Sequence, residues 1–170
     1  MAIVQINIKK TKPLTFLLAL TFLFLLGSSS VVFGDEIQDG FDAYKKKDYK
    51  EAVMFFHLSA EQGDALAQLL LGLMYDEGKG AAQDYVEAVK WYRRSAELGN
   101  ASAQNNLGFM YAQGQGVLKD YVIAHMWFNL SFSNGSKNGL EGREMIEEKM
   151  SPSQKEKAQE LARNWKLTSR

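Results

Sequence analysis

A motif that returns after 36 residues constrains the fold of this chain more than any other feature. LGLMYDEGKG, residues 71–80, reappears as LGFMYAQGQG at residues 107–116. A fixed period of this length indicates stacked supersecondary units. The residues that find an identical partner 36 positions later are Ala67, Gln68, Leu71, Gly72, Met74, Tyr75, Gly78, Gly80, Asp84, Tyr85, Val86, Ala88 and Trp91.

The same period continues on both sides of these two copies. Residues 48–55 align with residues 84–91 through identical Asp, Tyr, Ala and Val residues, and a glycine recurs at positions 63, 99 and 135. After position 135 the signature weakens, with Arg143 in the place of Leu71. We therefore predict a partial repeat at 35–63, full repeats at 64–99 and 100–135, and a partial repeat with a closing helix at 136–170.

Each repeat has the pattern of two helices. Asp48, Asp84 and Asp120 are placed to cap the second helices, and the recurring glycines are placed to end them. The body shows no strand-like alternation, so the predicted class is all-α. Apolar stripes at helical spacing are formed in the two halves of one repeat by Ala67, Leu70, Leu71, Met74 and Tyr75, and by Tyr85, Ala88, Val89, Tyr92 and Ala96.

The glycines of the repeat have structural explanations. Gly78-x-Gly80 and its copy at 114–116 follow a helix, whereas a dinucleotide-binding loop follows a strand, and a P-loop needs Gly-Lys followed by Ser or Thr. Gly80 is followed by Ala81, so we interpret the motif as a turn between two helices. Gly72 and Gly108 fall inside helices at a cost of about 1 kcal/mol each, which indicates close contact with a neighbouring helix.

The first 34 residues have the pattern of an export signal. Lys9–Lys12 form a basic start, Leu14–Leu26 an uncharged apolar stretch of 13 residues, and small residues follow. Cleavage after Ser30 or after Gly34 fits the small-residue rule. We prefer the Gly34/Asp35 bond, which leaves a polar start. An uncleaved anchor over residues 14–33 is the alternative.

These motifs resemble the Sel-one-like repeat, a longer relative of the tetratricopeptide repeat. LGxMYxxGxGxxxDYxxAxxW carries the resemblance, and AYKKKDYKEAVMFF, residues 43–56, is more similar to an ordinary tetratricopeptide unit. The resemblance implies a right-handed α-solenoid of antiparallel helix pairs, with a concave face that binds proteins. Residues 146–165 are similar to tails that close such arrays in bacterial members.

The tail also has its own signature of a capping helix. Ser151-Pro152-Ser153-Gln154 combines an N-cap serine, proline at the first helical position and glutamine at the capping-box position. A last repeat would otherwise expose its apolar face. The stripe that would cover it consists of Ala158, Leu161, Ala162 and Trp165.

Composition argues against several classes of function. With three lysines and no acid in residues 1–34, residues 35–170 carry a net charge of about −3 and no basic patch, which argues against nucleic acid as a partner. The chain has no cysteine, so it has no disulfide and no thiol nucleophile. His57 and His125 are the only histidines and fall at different repeat positions, so we expect no metal site.

Nothing in the sequence predicts an enzyme or a cofactor. A serine nucleophile motif of the G-x-S-x-G type is absent, and Trp91, Trp127 and Tyr92 are predicted to be core aromatics. The concave face is the candidate binding site. The resemblance places there Leu66, Leu69, Leu73 and Glu77 from one repeat and Ser102, Asn105, Phe109 and Gln113 from the next. Coverage of Leu69 and Leu73 by neighbouring helices is the alternative.

Three functions follow from these patterns. The first is an exported adaptor of the bacterial cell envelope, periplasmic or secreted, which binds a protein or peptide in its groove. The second is a structural component of an envelope assembly, anchored in the inner membrane by residues 14–33. The third and weakest is a peptidoglycan- or β-lactam-active hydrolase, suggested by cysteine-rich relatives but not by any nucleophile here.

We predict that the exported chain begins at Asp35, because cleavage after Gly34 fits the small-residue rule and leaves a polar Asp-Glu start. Intact-mass measurement of the protein isolated from cells, beside a chain of residues 35–170, checks this. A mass that retains residues 14–33 would contradict cleavage and favour the anchored alternative.

Overall fold

The computed structural model describes residues 35–168, which form eight α-helices. All but the first residue of this range lie in the second of two compact units, Glu36–Arg170. No strand occurs within this part of the chain. The helices are α1 (Asp35–Lys45), α2 (Tyr49–Glu61), α3 (Ala65–Glu77), α4 (Tyr85–Glu97), α5 (Ala101–Gln113), α6 (Tyr121–Ser133), α7 (Lys137–Glu147) and α8 (Pro152–Thr168).

The helices pack as consecutive pairs, which confirms the predicted all-α repeat organisation. Asp48, Asp84 and Asp120 accept hydrogen bonds from the first backbone N–H groups of α2, α4 and α6, as predicted. Asp64 and Asn100 cap α3 and α5 in the same way. Since both helices of each full repeat begin at a side-chain cap, local chemistry fixes where these helices start.

The glycines inside the first helices touch aromatic rings. A Cβ atom added to Gly72 would lie 2.5 Å from the ring of Tyr92, and one added to Gly108 would lie 2.5 Å from the ring of Phe128. Gly40 of α1 stands in the same relation to Phe56. The predicted close contact is confirmed, and the absent side chain is what lets the ring approach the helix backbone.

Buried polar side chains recur at equivalent repeat positions and tie neighbouring helices together, both between repeats and within one repeat. The Gln104 side-chain amide donates to the Ala96 carbonyl oxygen at 3.0 Å, and Gln68 makes the same bond to Ala60. The Ser95 hydroxyl donates to the Ala65 carbonyl oxygen at 2.6 Å. A buried donor without such a partner would destabilise the fold, so these bonds fix the spacing of adjacent helices.

The Gly-x-Gly motif joins two helices and also touches the preceding repeat. Gly78 ends α3 with a left-handed backbone, φ 67°. Gly80, at φ 76°, lies so close to the Tyr49 carbonyl group that a Cβ atom there would overlap it. Gly116 has the same relation to Tyr85. The second glycine is therefore an inter-repeat contact as well as part of a turn.

α8 packs against α6 and closes the described array at its C-terminal end. The predicted capping box is present, since the Ser151 amide donates to the Gln154 side chain at 2.8 Å and the Gln154 amide donates to the Ser151 hydroxyl at 3.3 Å. The ring of Trp165 meets that of Trp127 edge to face, at a centroid distance of 5.0 Å. The apolar stripe of α8 thus covers α6.

Among the helices of residues 35–168, none is long and apolar enough to cross a membrane. Three predictions lie outside the described residues: the signal segment at 1–34, the Gly34 side of the cleavage bond, and the alternative anchor at 14–33.

Gly80→Ala should cost clearly more stability than Gly63→Ala. Both glycines have a left-handed backbone, but a Cβ atom at Gly63 meets open space whereas one at Gly80 meets the Tyr49 carbonyl. For Gly63→Ala we expect the free energy of unfolding to fall by about 1 kcal/mol, from the strained backbone alone. Adding the overlap brings Gly80→Ala to about 3 kcal/mol. Urea unfolding followed by circular dichroism measures both, and equal costs would contradict the inter-repeat contact.

Candidate partner-binding groove

A cavity opens between the first helices of adjacent repeats. Its volume is about 180 Å³. Two of the predicted groove residues, Leu73 and Glu77, lie in its wall. The remaining wall residues are apolar or aromatic and come from α1, α2 and α3: Phe41, Tyr44, Phe56, Leu70 and Met74.

One lysine lies at the rim of this cavity. The Lys79 ammonium group is 2.6 Å from the Glu77 carboxylate and donates to the Tyr44 hydroxyl at 3.3 Å. The carboxylate, followed by the hydroxyl, raises the pKa of Lys79 above its usual range. Because the pair is exposed, it contributes little to stability, and a charged partner can exchange with it at low cost.

One repeat further along, polar side chains lie where the first repeat has the apolar wall of the cavity. The Tyr92 hydroxyl donates to the Asp76 carboxylate at 3.0 Å, and the Asn106 side chain bonds to the same hydroxyl. Burial raises the pKa of Asp76, the Tyr92 hydrogen bond lowers it, and the nearby Glu77 charge raises it again. The net shift is upward. Asp76 therefore holds a half-buried carboxyl group, which hydrogen-bond donors and cations can bind.

The other predicted groove residues divide into exposed and covered ones. Leu66, Ser102 and Gln113 are exposed. Phe109 is half-buried and meets the Phe128 ring edge to face, at a centroid distance of 5.0 Å. Leu69 is a buried core residue. Neighbouring helices therefore cover Leu69 fully and Leu73 in part, as the alternative interpretation states.

Asn105 is a separate case among the predicted residues. It is buried, and its side-chain oxygen has no hydrogen-bond partner among the described residues. A buried acceptor of this kind weakens the fold locally. Substitution of Asn105 would therefore report on stability and binding together.

The two histidines lie in unrelated environments. His57 is exposed and meets the Trp91 ring at a centroid distance of 5.3 Å. His125 is buried and its Nε2 is 2.9 Å from the Glu147 carboxylate. Burial lowers the pKa of His125, which the carboxylate offsets in part. Within residues 35–168 no group of His, Cys, Asp or Glu side chains is arranged to hold a metal ion.

A second, more open cavity of about 400 Å³ lies on the outer side of α4. The Arg94 guanidinium stacks on the Trp91 ring at 4.5 Å from its centroid and pairs with Glu61 at 3.2 Å. Trp91, Tyr92 and Trp127 are themselves buried, as predicted for core aromatics. The cavity is lined by Val86, Glu87, Val89, Lys90, Trp91, Arg93, Arg94 and Gly116.

Sequence reasoning missed the contribution of α1 and the role of Asp76. The link between α1 and α2 is Lys46–Asp48, shorter than the Gly78–Asp84 link of the next repeat. A displacement of 36 residues therefore misaligns α1. A displacement of 32 residues aligns Gly40 with Gly72 and Phe41 with Leu73. This alignment is the sequence signal that could have identified α1 as a first helix.

The helices form pairs in which the second helix begins at an aspartate cap and packs on a glycine of the first. This repeated arrangement defines a helical-repeat protein. A family model described as the Sel1 repeat matches residues 23–64, 65–100 and 101–136. The chain belongs to the Sel1 repeat family, as its motifs predicted. Proteins of this family generally act as non-enzymatic scaffolds for protein–protein interaction.

Solved structures of several bacterial proteins are similar to the chain. The protective antigen c5321 of uropathogenic Escherichia coli, which displays an SLR fold, is 32% identical with a TM-score of 0.74. The alignment covers 78% of this chain and 29% of that one. A Sel1 repeat protein from Oxalobacter formigenes is 31% identical with a TM-score of 0.61, over 65% of this chain and 45% of its own.

A more distant likeness shows the fold alone. Helicobacter pylori cysteine-rich protein B is 19% identical with a TM-score of 0.53, over 68% of this chain and 97% of that one. The search of curated protein sequences found no significant match.

We expect Tyr92→Phe to raise the pKa of Asp76 further, because it removes the hydrogen bond that favours the ionised carboxylate. Titration of the carboxyl carbons by NMR measures this shift. Tyr75→Phe is the matched control, since it leaves the Tyr92–Asp76 bond in place. An unchanged Asp76 pKa in Tyr92→Phe would contradict the hydrogen bond.

Proposed function

We propose that this protein is an exported adaptor of the bacterial cell envelope that binds a protein or peptide along its first helices. The observation that carries the proposal is the cavity between α1 and α3, which has apolar walls and one carboxylate, Glu77, at its edge. Concave sites with apolar walls and few polar groups are typical of ligand recognition. Binding is proposed to proceed by packing and hydrogen bonds, without a chemical step.

The chemistry of the cavity favours a particular kind of side chain. An apolar side chain fits among Phe41, Leu70 and Leu73, and a donor or cation next to it in the partner would face Glu77 or Asp76. The exposed Lys79–Glu77 pair would open to admit such a group. The partner segment is therefore proposed to carry an apolar residue beside a basic or amide residue.

Two observations support the proposed location outside the cytoplasm. Residues 1–34 have the basic, apolar and small-residue regions of an export signal. The similar Escherichia coli protein c5321 is described as a protective antigen. We extend this location to the present chain as part of the proposal.

Photo-crosslinking in intact cells tests the groove. A benzoylphenylalanine residue replaces Glu77, at the edge of the cavity, or Glu97, another exposed glutamate, at the end of α4, that serves as the matched control. We expect one protein adduct from position 77 and none from position 97. Adding Tyr44→Ala should reduce that adduct about tenfold, because interface tyrosines often carry large shares of binding energy.

The proposed function fails if the same adduct forms from both positions, since binding would then lie elsewhere. It also fails if Tyr44→Ala leaves the adduct unchanged while circular dichroism shows a folded protein. Tyr44 is exposed, so its loss should leave the helix pairs intact.

A further inference from the structure

Two apolar side chains on the outer face of α2 are exposed, whereas their counterparts on α6 are buried. Two displacements of 36 residues align Met54 with Met126 and Leu58 with Leu130. Met54 and Leu58 are 52% and 48% exposed, but Met126 and Leu130 are only 6% and 1% exposed. The same residue types at the same repeat position thus have opposite environments.

The last helix of the array accounts for this difference. α8 packs against α6, and its Ala162 belongs to the buried cluster that contains Met126 and Leu130. Leu161 and Trp165 pack against the same cluster. Among residues 35–168, no helix covers the outer face of α2 in this way, since Met54 and Leu58 remain exposed there.

The middle repeat shows that this position needs no apolar residue for the helix pairs to stack. Lys90 and Arg94 hold the equivalent places on α4, and both are exposed. A charged residue is ordinary on the solvent face of a helix. Met126 and Leu130 are apolar because α8 covers them, so Met54 and Leu58 indicate a helix that covers α2.

Charge around the α2 face limits the chemistry of that helix. Lys46, Lys47 and Lys50 are exposed, and none of them takes part in the ion pairs found within residues 35–168. Lys50 lies one helical turn before Met54. Asp48 and Glu51 are exposed among these lysines, so this basic edge has a net charge of only about +1, and an acidic residue on the flank of a docked helix would be favoured opposite Lys50.

We propose that the outer face of α2, centred on Met54 and Leu58, binds an amphipathic helix of a partner protein as α6 binds α8. The docking stripe of that helix combines small residues with an aromatic one, and its flank is acidic. This surface is separate from the cavity between the first helices. The proposal rests on the equivalence of Met54 and Leu58 with Met126 and Leu130, and not on the proposed function.

A synthetic peptide of residues 151–168 with Lys155→Glu and Lys157→Glu is the probe, because it keeps the α8 stripe and carries an acidic flank, whereas the unchanged segment has four basic and two acidic residues. The full chain is expressed with methyl-labelled methionine, purified, and titrated with the peptide by NMR. We expect the Met54 methyl signal to shift and to saturate at millimolar peptide or below. Met145, a similarly exposed methionine on α7, serves as the internal control and should not shift.

Leu58→Glu is the test variant, since it keeps Met54 as the reporter. It should weaken the peptide affinity at least tenfold, the loss that follows from an apolar contact of this size. Leu118→Glu makes the same change at an exposed leucine in the α5–α6 link and should leave the affinity unchanged. If Leu58→Glu reduces helicity, Lys50→Glu replaces it and should also weaken binding, through the basic edge.

Other outcomes would overturn the proposal. An unshifted Met54 signal at millimolar peptide means that the face does not bind such a helix. A shift at Met126 in place of Met54 means that the peptide only displaces α8. A Met54 shift that depends on protein concentration without peptide, and is abolished by Leu58→Glu, means that a second copy of the chain occupies the face.

Discussion

One aromatic ring of each second helix lies against a glycine of the first helix in the same repeat, and the stacking of the array depends on this contact. The ring sits where a side chain on the first helix would otherwise stand, so the two helix backbones approach closely. The glycine costs about 1 kcal/mol in helix propensity, which burial of a whole aromatic side chain exceeds. The three pairs are Gly40 with Phe56, Gly72 with Tyr92, and Gly108 with Phe128.

The identity of that ring decides the character of the groove beside it. Phe56 forms part of an apolar cavity wall. Tyr92 occupies the same repeat position, but its hydroxyl bonds to Asp76. Burial of the Asp76 carboxyl group raises its pKa, while the hydroxyl holds it in place. The Tyr92 hydroxyl therefore holds a polar group where the preceding repeat has an apolar wall, and this difference would favour a partner with a fixed order of side chains.

Features that depend on local chemistry or on the repeat period could be predicted from the sequence. The aspartate caps, the glycine contact of Gly72 and the capping box at Ser151 all follow from short patterns. The cavity could not be predicted in the same way, because the short α1–α2 link removes α1 from the 36-residue register. Burial of Leu69 and Asn105 also depends on neighbouring helices, which residue spacing alone does not specify.

α2 takes part in both proposed surfaces, through opposite sides of one helix. Phe56 and Met54 are two positions apart, which corresponds to a rotation of about 200° around the helix axis. Phe56 is buried in the wall of the cavity, whereas Met54 is exposed on the outer face. A ligand in the cavity therefore does not compete directly with a helix on the outer face. Since the test substitutions Tyr44→Ala and Leu58→Glu lie on different helices, loss of one interaction should leave the other intact.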